Sequence, residues 1–493
     1  MNFNSVDYCL FFIIVLGIYY IIPNKIRYIW LVAASYYFYS CYNVTYVYII
    51  FSVTIISYFA ALIIDKLNSY GGTGGNRRII KTVLFIAICL CFGFLLFYKY
   101  SNFIISNINF VLNIFSIGNK ITAIDIVLPV GISFFTFQAV GYVIDVYRGD
   151  VSPEINPVRY ALFLSFFPQL VAGPIERSTN LIHQLRKPNR LTDDRLREGL
   201  FIILLGLWQK VLVADRIAVI VDTIFNNYSD YTGIEMFIAV VLFGFQIYCD
   251  FSGYSNIAIG SAKLLGIDLM VNFHAPYLAK SIPEFWKRWH ISLTTWFTDY
   301  LYIPLGGNKK GKVRQYINII IVFLCSGLWH GASWNYVFWG GINGMFSIIS
   351  RISRHKTENL KLSNNRIDTI IRMIFTFLFI DFTWLFFRAP SLGNAFLMIN
   401  KGIKYVGMGP LLRGDSFDKV FGGSLNLVVI SISICLLFIF DLVQDRIGNI
   451  FEYISKQNYI IRWITYLILI FTIILFGAYG EGYEQTNFIY FQF

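Results

Sequence analysis

The chain has 493 residues, of which 57% are hydrophobic and only 14% charged, with a formal net charge of +12. A mean hydropathy of +0.61 lies far outside the soluble globular range, so the chain reads as a polytopic membrane protein whose first partner is the lipid bilayer. The basic excess is explained by Lys and Arg collecting in cytoplasmic loops, which leaves nothing that calls for nucleic acid.

Apolar stretches able to span a hydrocarbon core of ~30 Å recur from end to end. They fall at residues 8–22, 28–42, 46–64, 82–98, 103–117, 126–144, 158–175, 199–221, 234–248, 252–270, 315–350, 373–388, 424–441 and 463–478. Several are short, so re-entrant pieces are expected among them. No polar block is large enough to fold separately, which predicts a single transmembrane domain over residues 1–493 with an aromatic tail at 480–493. Residues 8–22 lack a basic n-region and a small-residue cleavage site, and read as a retained helix, not a signal peptide.

Basic clusters around Lys25 and Arg27, Lys66 to Lys81, Arg177 to Arg197, Lys309 to Arg314 and Arg351 to Arg372 are placed in the cytoplasm. By alternation, the loops carrying Asp145, Asp150 and Glu154 and carrying Asp222, Asp230 and Glu235 then fall outside, as do both termini.

Polar interruptions within these stretches are the candidate sites. Leu128 to Gln138 brings Pro129, Gly131, Ser133 and Gln138 into a membrane helix, and Phe166 to Ile175 carries two prolines and a glycine. Both fit broken helices walling a cavity, or kinks made for packing alone. Gln246 to Asn256 is a polar knot between two apolar stretches, with Asp250 as a costly buried charge. It reads either as a satisfied helix break or as cavity lining, with Asp250 and Asn256 as candidate substrate contacts.

Ile282 to Trp296 holds three tryptophans, Lys287, Arg288 and His290 behind a Pro start, the composition of one amphipathic interfacial helix. Its Trp and basic residues suffice as anchors. His290, beside Trp289, is also a candidate base, because neutral imidazole can take a proton near pH 7.

His330 is the most informative residue. It lies in the uncharged run Ile317 to Ser350, between Gly327 and Gly331 and next to Trp329. With basic clusters on both sides, that run is expected to be a hairpin whose arms of about fifteen residues, ~23 Å each, reach deep into the bilayer. The turn at Trp329 to Trp334 would be its tip, and non-helical backbone at that depth has to line a cavity or be packed in protein, so His330 is expected to face a water-accessible funnel. The alternative is a neutral His bonded to a neighbouring helix.

Of the seven cysteines none forms a C-x-x-C pair, and the two histidines have no Asp, Glu or Cys at metal-motif spacing, so no metal is called for. The nucleophile elbow and the phosphate-binding loop are absent, which argues against a serine hydrolase and a nucleotide-driven pump.

The runs Leu128 to Gly149, Phe166 to Arg177, Gln246 to Gly260, Pro283 to Gly307 and Gly327 to Trp339, in that order, resemble the motifs of the membrane-bound O-acyltransferase family in its bacterial, alginate-acetylase-like branch. The resemblance implies an all-α polytopic fold, a ring of about eleven tilted transmembrane helices plus re-entrant segments around a central funnel. It implies an invariant histidine matching His330 and a second matching His290. It also implies passage of an acyl group across the bacterial cytoplasmic membrane to an exported polysaccharide or cell-wall glycan, completed by an extracytoplasmic SGNH-hydrolase-like partner. The donor would be cytoplasmic acetyl-CoA, with no bound cofactor and with Lys and Arg holding its phosphates.

In this reading His330 is the general base and His290 assists it. The apolar tail Phe488 to Phe493 should not dangle in water, and similar aromatic tails in the family or its small partner subunits resemble an acyl relay, which makes Tyr490 a transient carrier; the alternative is an interfacial anchor. Trp329, Trp289, Asp250, Asn256, Ser133 and Gln138 are the expected substrate contacts. Two other functions compete: D-alanyl transfer from a carrier protein to teichoic acids, and transport of a polysaccharide or ion, which would also use intramembrane polar residues.

Overall fold

The computed structural model describes residues 1–69, 74–118, 120–171, 173–187, 190–231, 233–359, 366–404, 421–479 and 488–489, and every regular element among them is helical. These residues group into two compact units, Met1–Leu200 with Ala258–Met270 and Phe201–Ile257 with Val271–Phe493. Six helices among the described residues are long and apolar enough to cross a membrane: Val44–Ser69, Asn76–Ile114, Gly233–Leu264, Arg366–Arg388, Ser424–Ile447 and Tyr459–Phe476. The protein is a multi-pass, all-helical membrane protein.

The first unit begins with α1 (Val6–Ile21), α2 (Arg27–Ser40) and α3 (Val44–Ser69). The helices α4 (Gly74–Leu95) and α5 (Ser101–Ile114) are joined through a π-helical turn at Leu96–Tyr100. The two spans expected at 82–98 and 103–117 are therefore one rod, since nothing between Leu95 and Asn102 breaks a helix. The helix α6 (Ile132–Arg148) starts at Gly131, whose φ of +77° no β-carbon would favour. There a Cβ would also collide with the Leu170 carbonyl.

The short helices α7 (Pro157–Ser165) and α8 (Phe167–Leu170) replace the span expected at 158–175, and α9 (Ser178–Leu185) follows. At about 1.5 Å per residue, the nine residues of α7 cover only about 14 Å.

These lengths correct the expected topology. Arg186 pairs with Glu154 at 2.7 Å, and the Ser178 hydroxyl donates to Asp145 at 2.6 Å. The acidic 145–154 loop therefore shares the face of the basic 177–187 segment. Merging α4 with α5 removes one crossing from the alternation, which accounts for the change of side.

The helix α10 (Asp193–Leu207) leads into the second unit. There a π-helical segment, Trp208–Ala214, precedes α11 (Asp215–Asn226) and the 32-residue α12 (Gly233–Leu264), which runs on from Ala258 into the first unit. The helix break expected at Gln246 to Asn256 does not occur. Its polar side chains find partners without leaving the helix: Asp250 pairs with Lys210 at 2.7 Å, the Tyr248 hydroxyl donates to Asp441 at 3.0 Å, and Asn256 donates to Gln209 at 2.8 Å.

Two short helices, α13 (Ile282–Arg288) and α14 (Ile291–Phe297), stand where one was expected. After them, α15 (Lys312–His330) and α16 (Trp334–Asn359) form the predicted hairpin, with its tip at residues 331–333. Gly327 packs against the Tyr336 carbonyl and Gly340 against the Phe323 carbonyl, so the arms touch backbone to backbone. The arms have 19 and 26 residues instead of about fifteen. At ~1.5 Å per residue even the shorter is roughly 28 Å, comparable to the hydrocarbon core. The unit continues with α17 (Arg366–Arg388), α18 (Leu392–Lys404), α19 (Ser424–Ile447), α20 (Ile450–Ser455) and α21 (Tyr459–Phe476).

Candidate functional site

His290 reaches the interior because the backbone turns there. Its φ of +44° and ψ of +55° are left-handed, a conformation that costs a non-glycine residue about 1–3 kcal/mol. The turn is held from outside the segment. Asn272 accepts from the Ile291 N–H through its backbone carbonyl at 2.9 Å and from the Ser292 hydroxyl through its side chain at 2.6 Å, while the His274 N–H donates to the Arg288 carbonyl at 3.0 Å. Asn272 is fixed in turn by a 2.9 Å hydrogen bond to Ser255 on α12. These bonds split the expected single helix into α13 and α14 and direct the imidazole inward, where it is 2% exposed.

The hairpin delivers the second imidazole. His330 is the last residue of α15, and its neighbour Trp329 contacts both histidine rings: Trp329 meets His290 with ring centroids 5.7 Å apart and His330 at 4.9 Å. Trp339 and Phe387 close on His330 at 5.2 and 5.4 Å, both edge-on. Trp289 stacks on Phe285 and meets Trp384 at 5.1 Å, and Trp384 stacks on Trp339 at 5.6 Å. Residues forty positions apart in the chain thus share one layer of indoles.

The expectation that His330 faces a water-accessible funnel needs correcting. It is 4% exposed, because Trp329, Trp339 and Phe387 wall its ring. The tip just beyond it is more open: Ala332 and Ser333 are half-buried and Trp334 is exposed. For His290, burial pushes the imidazole down to about 3, so it is held neutral. A neutral imidazole in a dry aromatic setting can accept a proton from a hydroxyl.

The other expected contacts divide between the units. Trp289, Asp250 and Asn256 belong to the unit that holds both histidines. Ser133 and Gln138 belong to the other unit, where Gln138 donates to the Phe163 carbonyl at 2.7 Å and accepts from Gln169 at 3.2 Å. Tyr490 lies outside the described residues. Its neighbour Ile489 is described, and its N–H donates to Asp250 at 2.8 Å. Phe488 packs on Tyr254 at 4.5 Å and on Phe251 at 5.7 Å, and Phe251 meets His290 at 4.7 Å. Phe488 is therefore one ring removed from His290.

Sequence reasoning passed over Lys210, Asp215 and Asp441. Lys210 pairs with both Asp215 and Asp250 at 2.7 Å inside the unit. The cost of a charge in an apolar stretch, which singled out Asp250, applies equally to these residues and would have found them.

The family model of the membrane-bound O-acyltransferases matches residues 151–389 of the chain. A probable alginate O-acetylase of Pseudomonas putida is 36% identical, over 79% of this chain and 77% of that protein. A peptidoglycan O-acetyltransferase of Helicobacter pylori is 35% identical, over 76% of this chain and 73% of its own length. More distantly, a teichoic acid D-alanyltransferase of Bacillus subtilis is 27% identical, over 52% of this chain and 68% of that protein.

Proposed function

The chain belongs to the membrane-bound O-acyltransferase family, and from that premise we propose that it moves an acetyl group from cytoplasmic acetyl-CoA to an extracytoplasmic acceptor, for O-acetylation of an exported polysaccharide or cell-wall glycan. His330 is the general base. It takes the proton of an attacking hydroxyl as the oxygen bonds to the acyl carbon. The carbon–sulfur bond then breaks, and the CoA sulfur leaves with the proton the imidazole returns. His290, held neutral beside Trp329, assists by positioning the thioester or the base.

Tyr490 is the first acceptor in this reading. Its phenol carries the acetyl group as an ester, and an SGNH-hydrolase-like partner outside the membrane passes it to the polymer. The protein is placed in the bacterial cytoplasmic membrane with both termini outside, and basic cytoplasmic residues hold the donor phosphates. Trp329, Trp289 and Asn256 border the reacting groups.

The observation that carries this reading is the convergence of His290 and His330 on Trp329, with Phe488 docked one ring away from His290. Because His330 is buried, the aromatic wall around it has to part for the acceptor. The acetylated-glycan relatives match 76–79% of the chain against 52% for the D-alanyl relative, which favours acetyl over D-alanyl.

Intact mass spectrometry of the purified protein after acetyl-CoA treatment tests it. One acetyl group is expected on the wild type and none on Tyr490→Phe or His330→Ala. An equal adduct on all three, or labelling by a D-alanyl carrier protein instead, defeats the proposal.

A further inference from the structure

Asp250 was expected among the substrate contacts, but the structure engages both of its oxygens within the chain. Oδ1 takes the Lys210 ammonium at 2.7 Å, and Oδ2 accepts the backbone N–H of Ile489 at 2.8 Å. Lys210 is shared with Asp215, also at 2.7 Å, and sits over the Tyr254 ring at 5.4 Å. The carboxylate, Phe488 and Ile489 are all buried.

A hydrogen bond to an ionised acceptor is roughly twice as strong as a neutral one, and a buried carboxylate deprived of a donor bears the full cost of desolvation. Capture of a backbone amide, in contrast to a side chain, also selects register. A slip by one residue would shift everything after it by ~3.3 Å and pull the Phe488 ring from between Phe251 and Tyr254.

We propose that Asp250, held by Lys210, is a positioning residue that docks the segment Phe488–Ile489 in one register and so fixes the point from which the next residue, Tyr490, is presented. The docking stands on the described contacts. Its consequence for catalysis rests on the reading of Tyr490 as the acyl carrier.

The test uses the full-length purified protein carrying Ile489→Cys, with maleimide alkylation at that position read by peptide mass spectrometry. Asp250→Asn keeps an acceptor oxygen and stays protected. Asp250→Leu removes the acceptor while Lys210 retains Asp215, and its alkylation is expected to rise roughly ten- to a hundredfold. Equal protection in the Leu variant and the parent overturns the inference, as does equal loss of protection in the Asn and Leu variants. Should the Leu variant not fold, the donor is deleted from the other side: Ile489→Pro in a Phe488→Cys background leaves the Asp250–Lys210 pair in place, and the same rise is expected, its absence again overturning the docking.

Acyl transfer is followed in parallel without the cysteine. Asp250→Leu is expected to lower kcat and leave KM for acetyl-CoA unchanged. Loss of docking with full transfer removes the carrier reading and leaves the docking standing. Unchanged alkylation with normal labelling of Tyr490 removes the docking and leaves the carrier reading.

Discussion

The His290 imidazole meets the Trp329 indole edge-on, with centroids 5.7 Å apart and planes at 68°. The kink between α13 and α14 and the tip of the hairpin are thereby in direct contact, and Trp329 makes ring contacts with both histidines. Trp329→Ala is expected to destabilise the fold by about 3–5 kcal/mol through the cavity it leaves. Trp329→Phe keeps an aromatic ring in contact with the histidines and should hold turnover within about tenfold of wild type, a step worth ~1.4 kcal/mol in the barrier. Melting in detergent together with thioester consumption checks both; Ala with unchanged turnover would disconnect Trp329 from the chemistry.

His330→Ala is expected to lower kcat by roughly 10²- to 10⁴-fold, the usual contribution of a general base. The protein should still elute as a folded species, because the surrounding layer of Trp339, Trp384 and Phe387 packs on itself as well as on the imidazole. Steady-state consumption of acetyl-CoA beside size-exclusion profiles decides the matter. Undiminished consumption would return His330 to a structural role.

Stability should fall on acidification through His290. Its folded-state value is depressed to about 3, whereas the unfolded chain titrates near the ordinary 6.5. Below 6.5 the unfolded state binds a proton that the folded state refuses. The stabilisation present above that pH is therefore lost as pH drops from 6.5 toward 3, by roughly 1.4 kcal/mol for each unit. Thermal melts at pH 7.5 and 5, compared between wild type and His290→Gln, measure it; the two proteins should diverge less at the lower pH.

Gly327→Ala is expected to force the hairpin arms apart. The added methyl would strike the Tyr336 carbonyl, a backbone atom that cannot swing aside. Overpacking of this kind costs about 1–3 kcal/mol or more. Gly93→Ala meets open space and serves as the control. A lower melting temperature for the first and none for the second is the expected pair of results.

Lys210→Met should destabilise by roughly 3–5 kcal/mol, because it leaves the carboxylates of Asp215 and Asp250 buried without their shared cation. Neutralising both acids in the same variant, as Asp215→Asn with Asp250→Asn, is expected to recover much of the loss. Chemical denaturation of the single and triple variants in detergent measures the recovery, and an undisturbed single variant would show that the cluster adds nothing to stability.

What could be read from the sequence tracked how local the cause was. The hairpin and its tip were legible because an uncharged run between two basic clusters, with glycines at 327 and 331, carries its own boundaries. The kink at His290 was not legible, since neither Gly nor Pro marks it and Asn272 imposes it from a segment eighteen residues upstream. The expected break at Gln246 to Asn256 failed for a related reason. Polarity within a helix signals a break only when its side chains lack partners, and Lys210 and Asp441, which supply them, lie 40 residues before Asp250 and 193 after Tyr248. Topology departs from expectation at α4 and α5, where the spans at 82–98 and 103–117 join into one helix because no residue between them stops it.

The hydrogen bond from Ile489 to Asp250 closes a separation of 239 residues. At a synthesis rate of ~5–20 residues per second, the ribosome takes roughly 10–50 s to make the donor after the acceptor has been translated. Lys210 precedes Asp250 in the chain, so α12 can enter the bilayer with its charge already compensated. The segment that ends beside His290 arrives much later. A nascent chain is thus electrically matched long before its last contacts can form, and a chain caught just short of Phe488 would hold both histidines and yet have an empty berth at Asp250.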